Sequence, residues 1–365
     1  MAHVYMIGQK VDYANNGGSK AMQDVYQVFS RIGIRFIPGV PKAAPKVFKA
    51  FDLITLCWYF LFILRKEDYL LFIFPDNELK LRFVYGLAKM KKVKVICFIN
   101  DVNSIRDGHF DDPATSALIR KEMELIGRAD IILAPNKGAE AFYRSQGIRS
   151  RIVNVGCWDY LLEVEKKPKL TILDPTSFVP IAFAGNLDKA PFVHHLEDIK
   201  ELERIRFELW GKSSQGVMRT EHVIYHEVLT PRELIDKVSE CYFGLVWDGT
   251  GVHACSGGLG EYLKYNNSHK CGLYLAAGLP VFVWSQSGLS YFVKETGCGY
   301  TIDSLDDIPA IIKRLTKDPK EYITLCTNVG KVSKKIQSGE YLKKAMVEAV
   351  GKDSLYFPEE DITNK

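Results

Sequence analysis

The sequence predicts an α/β protein made of two doubly wound parallel sheets in tandem, facing each other across a cleft. Three observations carry that expectation. Strand-length apolar runs alternate with helix-length amphipathic stretches along the whole chain. The 365 residues exceed one ordinary core and suit two domains of about 150–200 residues each. Residues 163–179, EVEKKPKLTILDPTSFV, are polar and hold two prolines, as a linker does.

In the first half, strands are expected at 3–8 (HVYMIG), 69–74 (YLLFIF), 93–99 (VKVICFI), 130–134 (DIILA) and 151–156 (RIVNVG). Helices are expected near 19–32, 45–64, 78–91, 113–127 and 137–146. Beyond the linker a second strand series begins, at 180–184, 206–210, 222–225, 242–247, 280–284 and 299–302, with helices between them. The division that follows is a first domain at 1–165, a second at 178–330, and a last helix at 331–350 that packs back on the first.

Composition narrows the classes. Hydrophobic residues at 47% and charged residues at 25% describe a globular chain. The eight cysteines are scattered through apolar runs with no C-x-x-C pair, which offers neither a zinc site nor a disulfide framework. With no charged, then long apolar, stretch at the N-terminus, a cytoplasmic location is expected. Residues 48–64 (FKAFDLITLCWYFLFIL) are nearly all apolar but fall short of the roughly 20 that a spanning helix requires. A buried or membrane-surface helix is expected there.

Charge is uneven. Up to Lys169 there are 26 Lys+Arg against 18 Asp+Glu, and beyond it 22 against 26. Much of the basic excess flanks the apolar segment: Lys42, Lys46, Lys49, Arg65 and Lys66, then Lys89, Lys91, Lys92 and Lys94. Two readings stay open, a rim that favours an anionic membrane face and a solvated surface beside a core helix. Nucleic acid is not expected, because no binding motif accompanies the basic residues.

Parallel sheets bind ligands at the carboxyl ends of their strands, so the strand-end loops are where chemistry is sought. The strongest signal is the run from Tyr265 to Pro280, YNNSHKCGLYLAAGLP. Ser268 or Asn267 is a good N-cap, Gly278 supplies the stop, and Pro280 opens a strand. Lys270 then falls in the first turn, where the helix dipole disfavours a cation by a few tenths of a kcal/mol. A bound diphosphate would compensate; the other reading is a lysine reaching into solvent. After the first strand of the second half, Gly185 permits close backbone approach, and Asn186 and Lys189 suit phosphate or ribose oxygens. An ordinary strand-to-helix turn reads the same way. In the first half Asn15 and Asn16, followed by Gly17, Gly18 and Ser19, precede a helix and offer amides to an anion or sugar, without matching a dinucleotide or P-loop fingerprint.

Asp101 follows the strand at 93–99, at the tip from which a carboxylate accepts a hydroxyl proton. It is the candidate catalytic base, with capping or substrate orientation as the alternative and His109 as a second base candidate. Trp247 and Asp248 also end a strand, and the GTGVHACSGGLG that follows reads as a loop over the cleft or as an insertion. No Asp-x-Asp triplet occurs, so no metal is expected. Two glutamates separated by seven residues, at a strand-end loop, would mark retaining chemistry; that spacing occurs only at Glu340 and Glu348, outside any strand-end loop. At the comparable place near Lys270 the pair would be Glu261 and His269, which points to inverting displacement.

The run YLKYNNSHKCGLYLAAGLPVFVW resembles the signature of bacterial β-1,6-galactofuranosyltransferases and of the related glucosyltransferases that extend N-acetylglucosamine on adhesins. FINDVNSIR, RADIILAPNKGAEAFYRSQGI, VGCWDY, FAGNL and FGLVWDG match in the same order, so the resemblance spans nearly the whole chain. It implies a GT-B fold of two Rossmann-like domains, a UDP-sugar donor and no metal or other cofactor. It places Lys270 on the donor diphosphate, Asn186 and Lys189 toward the nucleotide, and the Gly17–Ser19 loop against the donor from the other domain. Ser268 replaces the proline usual in that motif. The expected partners are a UDP-sugar and a saccharide or lipid-linked saccharide acceptor; the basic, apolar first half adds the inner face of a membrane, and a second copy of the chain is a further candidate. Two other classes remain: a non-catalytic nucleotide-sugar-binding subunit, and an oxidoreductase disfavoured by the missing glycine fingerprint.

Overall fold

Each half of the chain folds around one six-stranded sheet in which every pairing is parallel. A computed structural model describes residues 2–8, 17–39, 46–107, 112–169, 172–214 and 216–357. Asn15, Asn16 and His109, singled out above, lie outside the described residues.

The first lobe holds β1 (Val4–Ile7), α1 (Gly17–Arg31), β2 (Arg35–Ile37), α2 (Lys46–Trp58), β3 (Tyr69–Phe74) and α3 (Glu78–Lys91). It continues with β4 (Lys94–Ile99), α4 (Asn103–Asp107), α5 (Pro113–Ile126), β5 (Ile131–Ala134), α6 (Lys137–Ser145) and β6 (Arg151–Asn154). Its strand order is β2-β1-β3-β4-β5-β6. The second lobe holds β7 (Val179–Ala184), β8 (Ile205–Trp210), β9 (Val223–His226), α7 (Pro231–Val238), β10 (Phe243–Val246) and α8 (Gly257–Tyr262). Then come α9 (His269–Ala276), β11 (Val281–Trp284), α10 (Leu289–Thr296), β12 (Gly299–Ile302), α11 (Asp307–Lys317), α12 (Pro319–Ser338) and α13 (Glu340–Val350). Its order is β12-β11-β10-β7-β8-β9, so the direction in which successive strands are added reverses between β7 and β10 while all strands stay parallel.

The strands are nearly continuous runs of Val, Ile, Leu and Phe because both faces are covered. Leu70, Phe72, Val95 and Cys97 point to one side of the first sheet, while Leu71, Ile73, Ile96 and Phe98 point to the other. The second sheet divides the same way, with Ile181, Phe183 and Phe207 opposite Ala182, Val246 and Val283.

Several elements differ from the sequence expectation, among them α4, which was not expected, and the β8–β9 connection, which holds no helix among its described residues. β2 was missed, since three residues between Gly33 and Pro38 carry too little alternation to register as a strand. The helix expected at 45–64 ends as an α-helix at Trp58 and continues as a π-helical turn over Tyr59–Ile63. Between β7 and β8 the connection is made of 3₁₀ turns, Leu187–Lys189 and Pro191–Asp198, instead of a full helix. The helix expected at 331–350 is two helices. α12 packs Val329, Val332 and Ile336 into the second lobe, and α13 packs Leu342, Ala345 and Met346 against Val25, Val28 and Phe29 of the first. Gly339 makes the crossing between them at φ 86°, where an added Cβ would stand 2.4 Å from Val28 Cγ2. The buried Asp159 carboxylate accepts from the Leu342 amide at 2.8 Å and the Tyr341 amide at 3.3 Å, anchoring the start of α13.

Candidate functional site

The reversal between β7 and β10 opens a crevice at the carboxyl ends of those strands, the position at which open α/β sheets take their ligands. Lys270, in the first turn of α9, reaches into it. Its Nζ lies 3.1 Å from both carboxylate oxygens of Asp248, which follows β10, and 4.9 Å from the ring of Phe183 in β7. Burial pushes the Asp248 carboxyl up, and the ammonium opposes that shift. The lysine stem lies over Gly185, where any Cβ would stand 2.9 Å from Lys270 Cε. A side chain at this position would displace the end of Lys270.

The N-terminal end of α9 is built to receive charge. Ser268 occupies the cap position but makes no side-chain capping hydrogen bond, so the leading amides are not closed by it. His269 Nε2 is sealed from solvent without a hydrogen-bond partner. Burial first, then the nearby Lys20 ammonium, lowers its pKa to about 3, so the imidazole is neutral. The ring lies 5.2 Å from that of Tyr160, which Lys20 Nζ covers from 4.7 Å. Gly18, in the first turn of α1, approaches the same space from the first lobe.

Together these residues border a cavity of ≈ 420 Å³ between the lobes. Its lining combines polar residues, Lys270, His269 and Asn186, with apolar ones, Trp210, Val228, Leu229, Pro231 and Leu234. Trp210 is held flat by stacking on His226 at 4.7 Å and 13°, and His226 Nε2 in turn meets Glu208 Oε2 at 2.6 Å. Thr230 and Glu233 form a capping box that fixes the start of α7 on this rim. A cavity lined by an ammonium, the first amides of a helix and an apolar surface that includes an indole suits a molecule that joins phosphate to a planar ring.

The residues predicted from sequence divide into two groups. Gly18, Gly185, Asn186 and Lys270 line the cavity. Gly17 and Ser19 flank Gly18 at the start of α1. Asn186 accepts a hydrogen bond from the Asp188 amide and so also shapes its own turn. Lys189 is exposed beside the cleft, near enough to Asp107 of the first lobe to favour that carboxylate's ionised form.

Asn267 and Asp101 stand elsewhere. Asn267, expected at the donor, is 2% exposed and makes hydrogen bonds between the lobes. Its Nδ2 donates to Pro135 O at 2.6 Å, and its Oδ1 accepts from Asn136 Nδ2 at 3.0 Å. Asp101 is held by Arg106, by the hydroxyl of Tyr262 from the other lobe and by the Val102 amide at 3.1 Å. Tyr262 itself is packed in the first lobe's core, so this cluster is also a seam between lobes. The residues missed from sequence are Trp210, Tyr160, His269 as a lining group and the apolar rim; only the position of Trp210 at a strand's carboxyl end was a readable signal.

Two Rossmann-like lobes around such a cleft define the GT-B class of glycosyltransferases. Residues 5–157 match the N-terminal domain, and residues 181–349 the C-terminal domain, of the glucosyltransferase 3-like family, and the chain belongs to that family. It is 25% identical over 340 residues to the beta-1,6-galactofuranosyltransferase WbbI of Escherichia coli (strain K12), covering 92% of this chain and 94% of that one. It is 26% identical over 264 residues to glucosyltransferase 3 of Streptococcus gordonii, with 72% of each covered. Among solved structures, sucrose-phosphate synthase from Thermosynechococcus elongatus superposes with a TM-score of 0.59 at 12% identity, covering 96% of this chain and 98% of that one. T4 phage BGT, solved in complex with its UDP-glucose substrate, gives 0.53 at 11% identity over 96% and 99% of the two chains. These two likenesses concern the fold.

Proposed function

We propose that this chain transfers a hexose from a UDP-sugar to a saccharide hydroxyl, with inversion and without a metal, in the synthesis of a surface polysaccharide or glycoconjugate. The observation that carries the reading is the placement of the Lys270 ammonium and the α9 amides at the switch point of the second sheet, beside an apolar slot of nucleotide size. In this reading the uracil lies toward Trp210 and the diphosphate toward Lys270. The acceptor oxygen forms its bond to the anomeric carbon while the bond from that carbon to the β-phosphate oxygen breaks. The electron pair leaves with UDP, where Lys270 and the helix amides stabilise the new charge. Galactofuranose is the first choice of sugar and glucose the second, following the activities named for the two relatives. A lipid-linked saccharide is the proposed acceptor.

Asp101 is the proposed base. It shares its carboxylate with Tyr262 and Arg106, so proton abstraction requires exchange of the Tyr262 hydroxyl for the acceptor's. The test is calorimetry with UDP and the two UDP-sugars, followed by mass analysis of product with saccharide acceptors, with and without chelator. Transfer that persists in chelator supports the reading. Binding of UDP-sugar with no transfer to any acceptor would identify a non-catalytic binding subunit instead.

A further inference from the structure

From a surface patch distant from the switch-point crevice, we infer that the first lobe docks on an anionic lipid bilayer through the outer faces of α2, its π-helical extension and α3. Residues 53–64 of this segment hold no charged side chain, and a helix apolar on all its faces is normally covered on every side. Here only one side is covered. Leu56, Phe60 and Leu64 are buried in the lobe's core, while Ile54, Trp58, Leu61 and Phe62 are 50–71% exposed on the other face. α3 repeats the pattern. Leu81, Val84 and Ala88 are buried, and Leu79, Phe83 and Met90, at helical spacing, are 77%, 38% and 82% exposed.

The two elements adjoin, since Lys91 Nζ donates to Leu61 O at 3.1 Å. The apolar patch is therefore shared between two elements, larger than the scattered exposed residues ordinary in a soluble surface.

Charge decides the occupant. Arg65, Lys66, Lys89, Lys91, Lys92 and Lys94 surround the patch, and residues 59–66 and 86–99 contain no acidic residue. The nearby acids are Asp52 on α2, Glu67, which meets Lys94 at 3.6 Å, and Asp76 and Glu78, which are paired with Lys80 and with Arg82 and Lys121. Apolar side chains that insert at headgroup depth inside a cationic rim fit an anionic interface. No helix among the described residues is long and apolar enough to cross a membrane, so docking is at the surface. The argument uses nothing of the donor site, and the two readings fail separately.

The test is co-sedimentation of the full chain with vesicles of phosphatidylcholine alone or with half phosphatidylglycerol. Trp58 supplies a second readout, because the other four tryptophans are buried. The expected result is partition into the anionic vesicles, a blue shift of Trp58 emission, and loss of both at high salt. Leu61→Ser/Phe62→Ser should lower the partition at least tenfold, and Lys66→Glu/Lys92→Glu should do so at low salt, while UDP affinity and the circular dichroism spectrum are retained. Equal partition by wild type and variants, or no partition, overturns the inference. So does a wild-type dimer that vesicles leave intact and Leu61→Ser/Phe62→Ser converts to monomer, for then a second copy covers the patch.

Discussion

Lys270→Met separates two roles that the Lys270–Asp248 pair combines. Methionine keeps an unbranched stem over Phe183 and Gly185 but removes the ammonium that lies 3.1 Å from both Asp248 oxygens. The two side chains are 19% and 18% exposed. A fully buried pair that loses one partner is destabilised by about 3–5 kcal/mol. Partial exposure and a carboxyl already pushed up toward protonation reduce that to about 2 kcal/mol, or a fall of roughly 4–8 °C in Tm for a lobe of this size. Loss of a charged hydrogen bond to the diphosphate weakens UDP binding by about 1.5–3 kcal/mol, on the order of 10–150-fold in Kd. Lys270→Met/Asp248→Asn removes the orphaned carboxylate. It should restore Tm to within about 3 °C of wild type while UDP affinity stays at least about tenfold down. Denaturation and calorimetry on the three proteins read both quantities. Wild-type UDP affinity in either Lys270 variant would refute the reasoning.

Three other outcomes follow from the same geometry. Asp101→Asn should lower kcat by about 10²–10⁴-fold with UDP affinity within a few-fold of wild type, whereas Tyr262→Phe should lose about 1–3 kcal/mol of stability and keep turnover; equal turnover in Asp101→Asn and wild type rules out the base. Gly185→Val forces a branched Cβ against Lys270 Cε and should raise the donor KM about tenfold, measured by initial rates; an unchanged KM removes Gly185 from the site. His269, whose folded pKa is lowered to about 3, refuses a proton that the unfolded chain accepts near 6.5. Its contribution is therefore present above pH 6.5 and declines as pH falls from there toward 3, by up to about 1.4 kcal/mol per unit. Urea unfolding should show wild type losing more stability than His269→Asn between pH 7 and pH 5, a comparison that cancels the opposite trends of the buried Asp24 and Asp159, whose pKa values rise to about 6 and about 8. Parallel slopes contradict a neutral, sealed imidazole.

The alternation of apolar runs such as 69–74 and 93–99 with amphipathic stretches was enough to read two parallel sheets, because strands covered on both faces leave continuous apolar sequence. Lys270 was legible as well, since a cation in a first helical turn contradicts the dipole and calls for a partner. The structure supplies one within the protein, Asp248, which local sequence does not reveal. Asn267 shows the limit of motif reading: a buried amide that joins two lobes and one that meets a ligand have the same letter and the same neighbours. The apolar part of the cavity lining was invisible for a related reason. Leu229, Leu234 and Trp210 are ordinary core-type residues, and only the fold that brings the start of α7 and the end of β8 to one cavity makes them a lining. β2 and the division at Gly339 depend on contacts across the chain, with β1 and with Val28, instead of on local pattern.

A crystal structure of the chain soaked with UDP tests the central claim most directly. The account predicts β-phosphate oxygens about 3 Å from Lys270 Nζ and the first α9 amides, with the uracil against the Trp210 end of the cavity. UDP bound at saturation anywhere else, with the crevice between β7 and β10 empty, would contradict it.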